Sequence, residues 1–139
     1  MKRKNARQRS AGFTLVELMV VIAIIGLLTA VVGAAFMKRI GRGKQAAAQA
    51  QIQAFADALE MYYADVYDYP GSLDGLVRAE GSTDGWSGPY LKKQEIPKDP
   101  WGNAYIYTKG GAEGADYTIV SYGKDASPGG EGENQDIAN

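Results

Sequence analysis

Between Leu18 and Met37 the chain runs through 20 consecutive uncharged residues, mostly Val, Ile, Leu, Ala and Met. At ~1.5 Å rise per residue a helix of that length spans ~30 Å, the hydrocarbon thickness of a bilayer. The run exceeds the about 7–15 apolar residues of a signal-peptide core. No small-residue cleavage site follows it, since Ala34-Ala35 leads into Phe36 and Met37. The pattern then changes: Gln45 to Ala58 is Ala-rich without Gly or Pro, and Ile52, Phe55, Leu59, Tyr62 and Val66 form one apolar stripe at helical spacing. These patterns predict one helix over 13–66, regular to about Ala64 and loosened near Gly41 and Gly43. It is apolar all round over 13–37, the length of a membrane span, and amphipathic over 38–66.

Tyr69-Pro70-Gly71 stops that helix and opens a small globular part over 67–139. Leu73 to Arg78 suits a short helix, Gly81 to Pro89 a loop, and Asp99-Pro100-Trp101-Gly102-Asn103 a compact turn. Ala104 to Thr108 and Tyr117 to Tyr122 are β-branched and aromatic, and predict an antiparallel pair. The expected fold is therefore α+β: a long N-terminal helix packed on a small antiparallel sheet, with an irregular C-terminal loop. Tyr62, Tyr63, Tyr67 and Tyr69 are expected to pack between helix and sheet, Trp101 to plug the core, and Lys92-Lys93 to face solvent.

Charge sharpens the picture. The net charge of −1 over 139 residues hides an asymmetry, because Lys2, Arg3, Lys4, Arg7 and Arg9 precede Phe13 with no acid among them. The remainder sets 10 basic against 16 acidic residues, a net of −6. Such an acidic body excludes nucleic-acid binding through a basic face. Basic residues ahead of the apolar run place the N-terminus in the cytoplasm and the C-terminus outside. The second cluster, Lys38, Arg39, Arg42 and Lys44, works against that orientation without reversing it. With neither Cys nor His, thiol and imidazole chemistry, disulfides and the usual zinc sites are excluded. The remaining carboxylates, Lys, Ser and Tyr show no spacing that suggests catalysis, so a membrane-anchored enzyme is not the expectation.

Glu17 stands at the edge of the apolar run, where a charge is expensive. Thr14 to Glu17 has the spacing of a capping box, with Phe13 and Leu18 as a hydrophobic staple, and the helix dipole favours an acid in the first turn. Capping explains Glu17 but not a basic leader that stops at Gly12. If the chain is cut after Gly12, Phe13 gains a free α-amino group close to Glu17, and two charges at an apolar surface are costly unless they pair. In a homopolymer, Glu17 of one copy could pair with the Phe13 amine of the next and fix the stagger.

A basic leader, Gly12, then "FTLVE" and an apolar helix resemble the class III signal of type IV pilins and pseudopilins. The resemblance implies cleavage between Gly12 and Phe13 by a prepilin peptidase on the cytoplasmic side, N-methylation of Phe13, and subunit assembly through Phe13 and Glu17. The leader would be residues 1–12. "YYADVYDYP", "GPYLKKQEIPKDPWGNAYIY", "DYTIVSYGKD" and "GGEGENQDI" resemble, nearly end to end, the major pseudopilins of type II secretion. That family implies a pilin-like fold and a non-catalytic subunit of the inner membrane. Such a subunit polymerises with itself into a periplasmic filament that helps drive folded exoproteins through the outer membrane, with minor pseudopilins and an inner-membrane assembly platform as further partners. The alternative is a type IV pilin of a surface filament for adhesion, motility or DNA uptake; lack of Cys and the acidic Gly-rich end favour the first. Two features depart from the family: Gly33-Ala34 stands where many relatives carry Pro, and no Gly-Asn-Trp follows Asp136-Ile137.

The end of the chain, "DASPGGEGENQD", reads by composition as a disordered tail and lacks the EF-hand pattern. Yet Asp125, Glu131, Glu133 and Asp136 bring four carboxylates into a glycine-rich loop, and hard oxygen ligands on a flexible loop suit Ca²⁺ better than Mg²⁺. The resemblance implies one Ca²⁺ in the loop 122–137. Its side-chain ligands would be Asp125 and Asp136, with carbonyls near Tyr122, Ser127 and Glu133, and Gln135 is a further candidate.

Overall fold

A computed structural model describes residues 12–111 and 114–139. Apart from Gly12, the leader expected over 1–12 lies outside the described residues. The chain divides after Lys38 into two compact units.

Helix α1 spans Leu15–Val66, 52 residues. In the N-terminal unit every described residue from Leu15 to Gly33 is exposed. An apolar surface of that extent is not tolerated in water, and its length matches a bilayer. Thr29, a polar residue of this stretch, turns its hydroxyl back on the Ile25 carbonyl at 2.7 Å, which satisfies it without a partner from outside. The loosening expected at Gly41 and Gly43 does not occur. Gly41 is buried, and a Cβ there would lie 2.9 Å from Cγ of Glu133. It is a notch for close approach, not a breaker.

In the second unit, Ala48, Ile52, Phe55, Ala58, Leu59 and Tyr62 form the buried stripe of α1. They pack on Leu73, Leu76, Tyr105, Ile119 and Ile137. Phe55 meets Tyr105 edge-on at 5.2 Å between ring centroids, and Tyr62 meets Tyr90 at 5.5 Å. Each such pair adds ~0.5–1.5 kcal/mol to plain area burial. The helix ends with Tyr67 in the left-handed region (φ 60°), its N–H donating to the Tyr63 carbonyl at 2.8 Å. Tyr67 is 81% exposed and Tyr63 42%, so of the four tyrosines expected to pack between helix and sheet only Tyr62 and Tyr69 do so. The αL turn that closes the helix throws Tyr67 outward.

The expected short helix is a 3-10 turn, Leu73–Leu76. The Asp99 turn forms as predicted: its carboxylate accepts N–H bonds from Trp101 (3.0 Å) and Asn103 (2.8 Å) and the Ser121 hydroxyl (2.7 Å). The sheet has three antiparallel strands in the order β1-β2-β3, with β1 Ile106–Lys109, β2 Tyr117–Ser121 and β3 Ile137–Ala138. Two strands were expected. The third comes from the tail, where Ile137 pairs with Ser121 and Ala138 with Val120.

Burial pushes the phenols of Tyr105 and Tyr107 up to about 12, and raises those of Tyr62 and Tyr117 in the same direction. A phenol raised in the folded state leaves stability intact below its unfolded value near 10 and removes it as pH climbs toward about 12. Tyrosinate absorbance and near-UV circular dichroism should therefore change together between those limits. Independent, non-cooperative ionisation of all the tyrosines near pH 10, these four included, would contradict this packing.

Candidate functional site

Two places carry the chemistry singled out by the sequence, one in each unit. At the start of α1, Thr14 is the N-cap: its hydroxyl accepts the Glu17 N–H at 3.2 Å and its carbonyl the Leu18 N–H at 3.2 Å. The reciprocal half of the capping box, from the Glu17 carboxylate back to the Thr14 N–H, is not made among the described residues. Glu17 is exposed in the first turn, and Phe13 is 86% exposed one residue before the cap. The carboxylate thus sits at the positive end of the helix dipole with acceptor capacity unspent.

The acidic end is ordered by glycines. Gly123 (φ +65°) is buried, and a Cβ on it would lie 2.5 Å from the Glu133 carbonyl oxygen; Gly130 (φ +95°) would place one 2.7 Å from the Asn134 carbonyl. Two 3-10 turns, Gly123–Asp125 and Gly132–Asn134, are thereby held backbone to backbone. Gln45 donates its amide to the Gly132 carbonyl, and Gln49 to that of Ala138 at 3.4 Å, which joins the loop to α1. The Glu133 side chain fills the Gly41 notch, with Lys124 Nζ at 3.6 Å and the Trp101 indole N–H at 3.5 Å. Gly123→Ala should cost about 2 kcal/mol or more through left-handed strain and the backbone clash. Urea unfolding would measure it, and an unchanged midpoint would contradict the close approach.

Asp136 accepts the Gly129 N–H on Oδ2 at 2.9 Å, while its Oδ1 is buried without a hydrogen-bond partner. Asp125 is exposed and accepts the Ser127 N–H at 3.3 Å. Tyr122 is half-buried, Ser127 and Gln135 exposed, and the Glu133 carbonyl faces Gly123. No group of three or more acidic side chains converges in a metal-like cluster among the described residues. The four acids of the tail therefore separate into roles: Glu133 is drawn to Trp101 and Lys124, and Asp136 is left with an unsatisfied carboxylate oxygen. The Gly41 notch and the Gln45–Gln49 pair were missed from sequence. A Gly inside a helix-forming stretch followed by Gln four and eight residues later is the signal that could have found them.

The model of the family described as "Type II secretion system (T2SS), protein G" matches residues 35–139, and that of the "Prokaryotic N-terminal methylation motif" matches residues 7–33. The chain belongs to the type II secretion protein G family. It is 38% identical over 135 residues to type II secretion system core protein G of Xanthomonas campestris pv. campestris, covering 97% of this chain and 93% of that one. The corresponding protein of Pseudomonas aeruginosa is 39% identical over 140 residues, with 96% of each chain covered. The crystal structure of the major pseudopilin from the type 2 secretion system of enterohaemorrhagic Escherichia coli is similar with a TM-score of 0.60 and 26% identity, over 74% of this chain and 91% of that one. The long helix on a small three-stranded sheet is thus the pilin-like fold. As a major pseudopilin of type II secretion the chain is a structural, non-enzymatic subunit. Its prepilin motif implies peptidase processing and assembly, and the apolar helix is consistent with anchoring in the inner membrane before assembly.

Proposed function

We propose that this pseudopilin is cut between Gly12 and Phe13, methylated at Phe13, and drawn from the inner membrane into a periplasmic homopolymer that helps drive folded exoproteins through the outer membrane. Minor pseudopilins and an inner-membrane assembly platform are the other partners. Before assembly the N-terminus lies in the cytoplasm and the globular unit in the periplasm. The observation that carries the reading is the half-made capping box: the Glu17 amide is capped by Thr14, while the Glu17 carboxylate stays exposed at the head of a helix of 52 residues. A neighbour's Phe13 amine supplies the missing charge. Mature protein from the native host should begin at a methylated Phe13, which N-terminal mass analysis would read. A start at Met1, or a cut after Ala35, would overturn the proposal.

The globular unit is proposed to hold one Ca²⁺ in the loop 122–137. The donor set fits a hard cation: Asp136 has a buried oxygen without a partner, and Asp125 and the carbonyls of Tyr122, Ser127 and Glu133 are oxygen donors in the same loop. The ion would add charge compensation for the acidic loop and order it. The surrounding chain does the positioning, through Gly123, Gly130 and the Gln45 and Gln49 amides.

A further inference from the structure

Lys38, Arg39, Arg42 and Lys44 follow within seven residues of Met37, the end of the uncharged run. No Asp or Glu occurs between Glu17 and Asp57, so α1 offers these cations no acid at helical spacing. Among the described residues none of them makes an ion pair. Glu133 packs at Gly41, but its carboxylate is engaged by Lys124 and Trp101. Within the second unit Arg39 and Arg42 are exposed and Lys44 half-buried, while Gly41, Ala48 and Ile52 mark the buried side of the helix. At ~100° per residue Arg39 and Arg42 lie well round from that line, on the flank away from the sheet.

We propose that this collar binds the anionic headgroups of the periplasmic leaflet while the subunit waits in the membrane. The inference rests on the membrane-anchoring reading and adds the lipid class. Position follows from length: a run of ~30 Å that begins near one interface brings the next residues to the other, where each Lys or Arg attracts anionic lipid. Long basic side chains also reach headgroups while their stems lie along apolar surface. Cleavage sharpens the consequence. With the leader gone, no Lys or Arg other than these four occurs between Phe13 and Arg78. The basic side chains of the mature subunit therefore grip headgroups on the periplasmic side alone, and removing the leader leaves the Phe13 amine as the one cation toward the opposite leaflet.

The test reconstitutes the mature chain in phosphatidylcholine bilayers with trace spin-labelled phosphatidylglycerol or phosphatidylcholine, and reads the motionally restricted fraction of each. Phosphatidylglycerol should associate about three- to ten-fold more strongly at low salt and lose that preference in high salt. A variant carrying Lys38→Gln, Arg39→Gln, Arg42→Gln and Lys44→Gln should show no preference, and Arg39→Lys with Arg42→Lys should keep it. Equal association of both lipids with the unchanged protein overturns the proposal while anchoring stands. So does a preference that survives in the four-fold variant. Loss of filaments in that variant without any lipid preference in the unchanged protein assigns the cations to a neighbouring copy's acids instead. No restricted fraction from either lipid overturns the anchoring reading and the proposal with it.

Discussion

Replacing Glu17 by Gln should reduce filament assembly by about 100-fold or more while leaving the monomer folded. Gln serves as well as Glu at the third position of a capping box, and the bond that forms here runs from the Glu17 amide to Thr14 Oγ1, which the substitution does not touch. The start of α1 should therefore survive. What disappears is a negative charge. In the proposed polymer that charge faces the Phe13 amine of a neighbour, away from bulk water, where leaving one partner of an ion pair uncompensated costs about 3–5 kcal/mol. Such a penalty recurs at every subunit addition, so even its lower bound stops growth. Sheared-filament yield and secretion of an exoprotein would both be measured in cells carrying Glu17→Gln, with Glu17→Asp as the charge-retaining control. Normal yield with Gln would return Glu17 to a capping role. Lost yield with an unfolded monomer would not support the pairing, so circular dichroism of the monomer belongs with the assay.

The parts of the fold that could be read from sequence are those whose cause is local. The uncharged run from Leu18 to Met37 and the stripe Ile52-Phe55-Leu59-Tyr62 declare themselves by length and period, and they set α1 and the core face. The Asp99 turn could be read because Asp, Pro and Gly hold it by their own geometry. Strand β3 could not. Ile137 and Ala138 sit among glycines and acids, and only pairing with Ser121 and Val120 makes them a strand. Gly41 looked like a weak point for the same reason: its use, admitting Glu133, depends on a residue far along the chain. At the two candidate sites the split is similar. Gly12, Phe13 and Glu17 form a contiguous motif. The roles of the acidic tail depend on which carboxylate finds Lys124 and Trp101, as Glu133 does, and which is left buried with an open oxygen, as Asp136 is.

That open oxygen sets the second large effect. Chelating Ca²⁺ with EGTA should destabilise the globular unit of the mature protein, held in detergent, by about 4 kcal/mol when the ion had been present at roughly 1,000 times its dissociation constant. For a unit of this size that is a fall in Tm on the order of 15 °C or more. The loss should begin where the ion would sit. Trp101, whose indole touches Glu133 in the same loop, provides the optical signal. Asp136→Asn separates a cation site from a merely well-packed loop. Asn keeps an acceptor for the Gly129 N–H, so the local turn can persist, but it removes the charge. Without calcium the unchanged protein carries a buried, unpartnered carboxylate oxygen, which is costly, so the Asn variant should match or exceed it in stability. With calcium the order should reverse, because only the carboxylate gains from the ion. Asp125→Ala should likewise blunt the calcium response. If neither EGTA nor Asp136→Asn moves the melting curve, the loop is held by Gly123, Gly130 and the Gln45 amide alone, and the ion is not part of this protein. The crossing of the two stability orders is the decisive reading, since destabilisation by the variant under both conditions would follow from damaged packing and would not require a cation.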